Sequence, residues 1–493
     1  MKYVIAPPTK LAMAAVVLTA LALSGCKTVG PDFARPVVSA TASYPRSANV
    51  SGAALGEGPQ LRWWEAFQSP ALDALVDHAI ANNRSLEAAN ATLERAQEKI
   101  TAVAGRQLPQ VDGSARTQYQ QVNLAAFGLD PATFGATKIS NPRFGLYSVG
   151  AGVTYDLDLF GGNRRALEQV SAEAEAQRFQ AQAAHLTIAG RVVNQVLVIA
   201  GLNDRIATEQ ALLAEGERNV VLTQKRQRAG AGTLVEVLSA QGQLAGDRGS
   251  LPQLQQQRAE ARDLLAILTG VSPGEFGPTD FRLAQFTLPR DVPVTLPSEL
   301  VHKRPDILQV EAQLHAATAA VGVATARLYP DITLGAQLTQ TASNPLNILG
   351  NGARGFDIFA GLTAPIFHGG TLNAEKRGAQ DQARAVAATY QQTVLEAFGQ
   401  VSGLLAALGN DSQAVANQTE ASGIAARSLH LSRRSFEVGN SGILQVLEAS
   451  RNNQRVQLAL VDARARQFLD IARLYVATAG GRTGPAVATA VKP

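Results

Sequence analysis

The chain has 493 residues, of which 46% are hydrophobic, 17% are charged and 5% are aromatic, with a formal net charge of +4. Its positive charge is not clustered, so the composition argues against a nucleic-acid-binding protein. A single cysteine, Cys26, excludes a disulfide or a cysteine-based metal site within one chain. Few aromatics with abundant Ala, Gln, Glu, Arg and Leu indicate long helices.

The N-terminus has the features of an export signal. Lys2 and Lys10 provide positive charge, and the uncharged run over residues 11–23 is shorter than the roughly 20 residues of a membrane span. The small residues Ser24 and Gly25 follow it. This order predicts a signal peptide over residues 1–25 rather than an anchor helix.

The only cysteine follows this signal directly. Leu23-Ser24-Gly25-Cys26 resembles the lipobox of bacterial lipoproteins, in which the signal is removed before the cysteine and the cysteine carries acyl chains. On this resemblance we expect a covalent lipid on Cys26. The alternative is a free thiol. In lipoproteins an Asp at the next position favours the inner membrane, so Lys27 fits the outer membrane.

Alternation of apolar with small or polar residues predicts four long strands in two pairs. The alternation is strong over residues 148–159 and 356–366 and weaker over 111–119 and 332–338. Strands of about 10 residues match the height of a tilted membrane crossing, whereas strands of soluble sheets usually have about five or six. The lengths therefore favour transmembrane strands.

Proline-free stretches predict two helical hairpins, each with a long helix, a glycine-marked turn and a returning helix. They cover residues 163–229 with 234–269, and residues 371–438 with 443–479. A helix of about 67 residues is roughly 100 Å long. Pro252 is expected to kink the first returning helix, whereas the second has Val461 at the matching position.

Two pairs of segments match within the chain, which indicates an internal duplication. Residues 227–241 resemble 436–450, and residues 104–111 resemble 325–332, each in the same order. The predicted organisation is a signal peptide over 1–25, a lipidated segment over 26–70, a first repeat over 71–270, a linker over 271–295, a second repeat over 296–479 and a disordered tail over 480–493.

Four transmembrane strands cannot form a closed barrel by themselves. Their two open edges would leave backbone groups unpaired in hydrocarbon, at a cost of several kcal/mol each. Three copies contribute about 12 strands, the smallest plausible open channel, since about eight strands fill their own interior. The expected fold is mainly α, with four strands per protomer in a shared trimeric transmembrane β-barrel and long helical hairpins that form a tunnel.

Several motifs spread over the chain resemble outer-membrane efflux lipoproteins of the TolC/OprM/NodT type. The matching segments are VGPDFARP (29–36), LRWWEAFQSPALDALVDHAIANNRSLEAA (61–89), YDLDLFGGNRR (155–165), LPSELVHKRPDI (296–307), ARLYPDI (326–332) and APIFHGG (364–370). This resemblance implies a homotrimer in the outer membrane with a helical tunnel in the periplasm. It also implies a periplasmic adaptor, an inner-membrane pump, typically of the resistance-nodulation-division class, and export of drugs, metals or other small molecules.

No enzyme site or cofactor site is expected. The six histidines include no HExxH motif, and the paired glycines at 161–162 and 369–370 are interpreted as turns. Asp156 and Asp158 are expected to share a wet strand face. Trp63 and Trp64 are expected to pack in the mid-tunnel belt rather than to bind a ligand.

The resemblance assigns a periplasmic gate to one face of the second hairpin tip. Leu444, Glu448 and Arg451 are spaced by four and three residues and therefore share a helix face. Leu444 would form an apolar constriction, and Glu448 and Arg451 would pair with neighbouring helices. The alternatives are an ordinary exposed face or a constriction at the first tip, near residues 235–239.

Two other functions stay open at this point. A type I protein secretion conduit has a similar architecture but usually lacks a lipid anchor, so Cys26 argues against it. A structural coiled-coil lipoprotein would not need alternating strands of membrane height. A duct transmits what its pump selects, so the sequence names no cargo.

Overall fold

The computed structural model describes residues 28–36, 44, 53–56, 58–123, 141–277, 280–289 and 291–479. The signal peptide, Cys26 and the tail over 480–493 lie outside these residues. The chain divides into two compact units. Unit 1 comprises residues 1–35, 95–174 and 312–387, and unit 2 comprises residues 36–94, 175–311 and 388–493.

Helices dominate the described residues. The helices are α1 (Pro70–Asn82), α2 (Arg84–Gly105), α3 (Gly162–Arg228), α4 (Leu234–Arg248), α5 (Ser250–Leu268), α6 (Pro297–Lys303), α7 (Pro305–Ala326), α8 (Thr371–Glu437) and α9 (Ile443–Thr478). The strands are β1 (Ala53–Leu55), β2 (Gln110–Gln121), β3 (Arg143–Asp156), β4 (Val292–Val294), β5 (Asp331–Ala342) and β6 (Arg354–Thr363). A short helix, a 22-residue helix, two long strands, a 67-residue helix and a returning segment follow each other twice.

Unit 1 contains the four predicted long strands. They form one antiparallel sheet in the order β2-β3-β5-β6, so β2 and β6 are its edges. Strand β3 ends at Asp156, three residues before the predicted end at residue 159, because the chain then turns. Asp158 has φ 41° and Gly161 has φ 75°, and this left-handed turn leads directly into α3.

The predicted hairpin helices are confirmed. Helices α3 and α8 have 67 residues each and match the predicted bounds to within a residue. The first returning segment is split at Gly249 into α4 and α5, and Pro252 lies in the first turn of α5. Proline is tolerated there because the first N–H groups of a helix have no intrahelical partner. Helix α9 is unbroken over 36 residues.

Unit 2 contains the main hydrophobic core. Trp63 and Trp64 are buried, and the Trp63 ring stacks on Tyr475 with ring centroids 5.4 Å apart. Phe67 lies edge-on to both Trp63 and Tyr475. The expectation that the tryptophans pack is therefore confirmed. Among the described residues, a stretch of α3 is long and apolar enough to span a membrane, but half of it is buried inside the protein.

Candidate functional site

The four-stranded sheet has one apolar face and one polar face. Cross-strand partners place Val111, Val153, Ala336 and Ile358 in one row. Val111 and Ile358 are 74% and 76% exposed. Exposed apolar side chains on a continuous surface are unfavourable in water, so this face is suited to lipid.

The next row of the same sheet is polar. Asp112 lies opposite Gly152, Gly152 opposite Gln337, and Gln337 opposite Asp357. Because successive side chains in a strand point to opposite faces, this row faces away from the apolar row. Alternation of apolar and polar rows over strands of 10 to 14 residues is the pattern of transmembrane β-barrel strands.

The prediction for Asp158 is wrong. Asp158 lies beyond the end of β3, and its carboxylate accepts hydrogen bonds from the backbone N–H groups of Asn163 at 2.9 Å and Arg164 at 3.0 Å. It therefore caps α3, where an anion is favoured by the free N–H groups. Asp156 stays in the strand and accepts a hydrogen bond from Thr333 Oγ1 at 3.0 Å.

The three proposed gate residues lie on one exposed face of α9. Leu444 is 70% exposed at the start of the helix, and Glu448 and Arg451 are also exposed. The Arg451 Nε donates to Oε1 of Gln243 on α4. Among the described residues neither Glu448 nor Arg451 forms an ion pair within the chain.

The two hairpin tips are held together by contacts that the sequence analysis missed. The guanidinium of Arg226 on α3 donates to the carbonyl of Phe436 on α8 and lies 4.2 Å from the centroid of its ring. Arg433 on α8 pairs with Glu215 on α3, and both side chains are at least three-quarters buried. No short-range pattern marks these residues, because each pairs with a residue in the other hairpin.

The first tip differs from the second in capping and in exposed apolar surface. Thr233 and Glu236 form a capping box at the start of α4, whereas Gly442, the residue before α9, provides no side-chain cap. Leu234 and Val235 are 61% and 71% exposed. The apolar surface of the tips thus includes the first hairpin as well as Leu444.

Two carboxyl groups meet between α8 and α9. Asp411 is 7% exposed, and its side chain is hydrogen-bonded to Asp470. Burial and the charge of Asp470 raise the pKa of Asp411 to about 6, and Arg466 opposes this shift. Asp470 also accepts from Arg473 Nη1 at 2.9 Å. The sequence analysis did not identify this pair, since its members are 59 residues apart.

The comparisons with known proteins identify this arrangement. The family model of the outer membrane efflux protein matches residues 75–271 and 296–480. The pyoverdine export outer membrane protein OpmQ of Pseudomonas aeruginosa is 30% identical, with 85% of this chain and 87% of OpmQ covered. The probable outer membrane lipoprotein SilC of Salmonella typhimurium is 23% identical, with 94% of this chain and 97% of SilC covered.

A solved structure agrees with these matches. The outer-membrane channel OprN superimposes with a TM-score of 0.83 and 28% identity, over 92% of this chain and 99% of OprN. The amphipathic sheet and the paired long helices are therefore those of an outer-membrane channel. The chain belongs to the outer membrane efflux protein family, and its place is the outer membrane.

Proposed function

We propose that this chain is the outer-membrane subunit of a tripartite efflux pump, a passive exit duct for small molecules. The observation that carries the proposal is the four-stranded sheet with one apolar face and two open edges, β2 and β6. Such a sheet is stable in hydrocarbon only if both edges pair, so several copies must share one barrel. Three copies supply 12 strands, which leave room for an aqueous pore.

The long hairpins are the segments expected to form a helical tunnel in the periplasm. Each protomer contributes two long hairpins, and the two regions matched by the family model support an origin by duplication. A periplasmic adaptor and an inner-membrane pump of the resistance-nodulation-division type are the expected partners. The exposed apolar side chains of the tips provide surface for contact with the adaptor.

A lipid on Cys26 adds a second attachment to the membrane. The relative SilC is named a probable outer membrane lipoprotein, and the lipobox of this chain supports the same modification. Two or more acyl chains anchor stably, whereas one anchors only marginally. The gate at Leu444, Glu448 and Arg451 would close the tunnel by contacts between protomers, since these charges have no ionic partner within the described chain.

The shared barrel is tested by the mass of the purified protein. Multi-angle light scattering of the detergent-solubilised protein, corrected for detergent, should give three times the mass of one mature chain. Planar bilayers should then show channels whose conductance rises when purified adaptor is added. A monomer that retains the full β-sheet signal in circular dichroism would contradict the proposal.

A type I secretion conduit is distinguished by its cargo. Loss of the gene for this chain should increase accumulation of a fluorescent efflux substrate in cells, without loss of any secreted protein from the medium. The reverse result would favour the secretion conduit.

A further inference from the structure

We propose that residues 28–33 form a strap, locked in place by Arg165, which holds the lipid attachment point near the C-terminal end of strand β3. The proposal deepens the assignment of Cys26 as the lipid site and rests on it. All residues that hold it lie in unit 1.

The start of the strap is bound to the turn between β3 and α3. The Val29 N–H donates to the carbonyl of Phe160 at 3.1 Å. Thr28 packs on Gly161 so closely that a Cβ on Gly161 would lie 2.6 Å from its Cγ2. The backbone of the strap therefore runs directly along this turn.

The middle of the strap contacts α7 backbone to backbone. Gly30 has φ 93°, and a Cβ at this position would lie 2.4 Å from the Cα of Gly322. A Cβ on Gly322 would in turn lie 2.8 Å from Cγ of Arg165. Two glycines thus allow the strap, α7 and the Arg165 side chain to occupy one small space.

Arg165 is the centre of this arrangement. Its side chain is 4% exposed. Its Nε donates to the Val29 carbonyl at 3.2 Å, and its Nη2 donates to the Gly30 carbonyl at 3.4 Å and to Asp32 Oδ1 at 2.6 Å. Its Nη1 donates to Glu168 Oε2 at 2.7 Å.

The strap provides most of the hydrogen-bond acceptors of the buried Arg165 guanidinium. A buried guanidinium is strongly unfavourable unless its N–H groups find acceptors. Three of its four acceptors belong to the strap. If the strap were to leave, Glu168 alone would pair with Arg165 among these groups. The strap and Arg165 therefore stabilise each other.

The end of the strap is held by a second contact with the same network. The Phe33 ring stacks on His315 with ring centroids 4.5 Å apart and an interplanar angle of 18°. The His315 Nε2 lies 2.9 Å from Oε1 of Glu168, the carboxylate that also binds Arg165. Aromatic stacking at one end and backbone hydrogen bonds at the other thus fix both ends of the strap.

The position of the strap limits where the lipid can be attached. Two peptide units separate Cys26 from Thr28, which gives a reach of at most about 7 Å. A lipid on Cys26 would therefore be attached within about 7 Å of Thr28, which packs on Gly161. Arg165 acts as a positioning residue that keeps the lipid anchor and the barrel strands at the same membrane surface.

Hydrogen exchange of the mature full-length protein tests the strap. The measured quantity is the exchange rate of the strap, including the Val29 amide that donates to Phe160, read by mass spectrometry in detergent from the N-terminal peptide that ends at residue 36. Arg165→Met keeps the length of the side chain but removes its donors, so exchange should be at least tenfold faster. Gly30→Val places a side chain where the strap contacts Gly322 and should also make exchange faster.

Arg164→Met is the matched control, since Arg164 is adjacent but interacts with Asp158 rather than with the strap. It should leave the exchange rate of the strap unchanged. Unchanged protection in both Arg165→Met and Gly30→Val, with native far-UV circular dichroism, would overturn the proposal. Equal loss of protection in Arg164→Met would overturn it as well, because the effect would then not be specific to Arg165.

A further arm separates the strap from the lipid. Cys26→Ser, exported by an unrelated cleavable signal peptide, should lack acyl chains and still show the protected strap. Absence of acyl mass from the wild-type protein would contradict lipidation while the exchange data still report on the strap. A strap that is unprotected in the unlipidated protein would refute the assignment of Arg165 as its lock.

Discussion

The carboxyl pair between α8 and α9 makes the stability of unit 2 depend on pH in a defined direction. Burial and Asp470 raise the pKa of Asp411 from 3.8 to about 6. A difference of about 2 pKa units corresponds to roughly 3 kcal/mol. The Asp411 carboxylate should therefore destabilise the folded state by up to about 3 kcal/mol above pH 6, relative to its protonated form.

The sign follows from proton binding. Between about pH 4 and pH 6 the folded protein binds this proton and the unfolded protein does not. The contribution of Asp411 to the free energy of unfolding therefore falls as pH rises through this window. It is most favourable below pH 4 and fully lost above pH 6.

Asp411→Asn isolates this contribution. The amide has nearly the same volume, carries no charge and can donate a hydrogen bond to Asp470. At pH 7.5 the variant should be more stable than the wild type, with a gain that approaches 3 kcal/mol and raises the thermal midpoint by several degrees. At pH 4 the gain should disappear, because Asp411 is then protonated in the wild type.

Thermal unfolding followed by circular dichroism at 222 nm, in one detergent at pH 4 and pH 7.5, measures this difference. Asp381→Asn is the control, since Asp381 lies on the same helix, is 63% exposed and pairs only with the exposed Arg384 among the ion pairs of the described chain. It should change stability by less than about 1 kcal/mol at either pH. A variant at position 411 that is equally destabilised at both pH values would refute the reasoning.

Three further predictions concern the barrel, the anchor and the gate. Ile358→Lys places a charge on the apolar face and should reduce the yield in the outer membrane, since a lysine at mid-membrane costs about 2 to 4 kcal/mol; Asp357→Lys, one residue away on the polar face, should insert normally and shift ion selectivity toward anions. Cys26→Ser should lose palmitate incorporation, and retention of the label would contradict the lipid site. Glu448→Ala combined with Arg451→Ala should raise single-channel conductance, because the charge pairs that close the tip recur in every protomer. The trimer yield should stay unchanged, because each exposed pair contributes only about 0.2 to 1 kcal/mol. A double variant that conducts like the wild type would indicate that the constriction lies at the first tip.

The sequence by itself determined the elements and their order. The 67-residue helices were predictable to within a residue because they lack proline and end two residues before Gly230 and Gly439, which both have positive φ. The strands were predictable because their alternation has a period of two. Pro252 located the break in the first returning helix to within three residues, since the consequence of a missing N–H is local.

The tertiary structure alone decided which distant side chains meet. Arg165 and Asp32 are 133 residues apart, and Arg226 and Phe436 are 210 residues apart. No local pattern encodes such pairs, because their geometry depends on how separate helices pack. Asp158 shows the same limit at short range. The alternating pattern of β3 continues through Asp158 in the sequence, but the backbone turns after Asp156, so Asp158 caps α3 instead of lying in the strand.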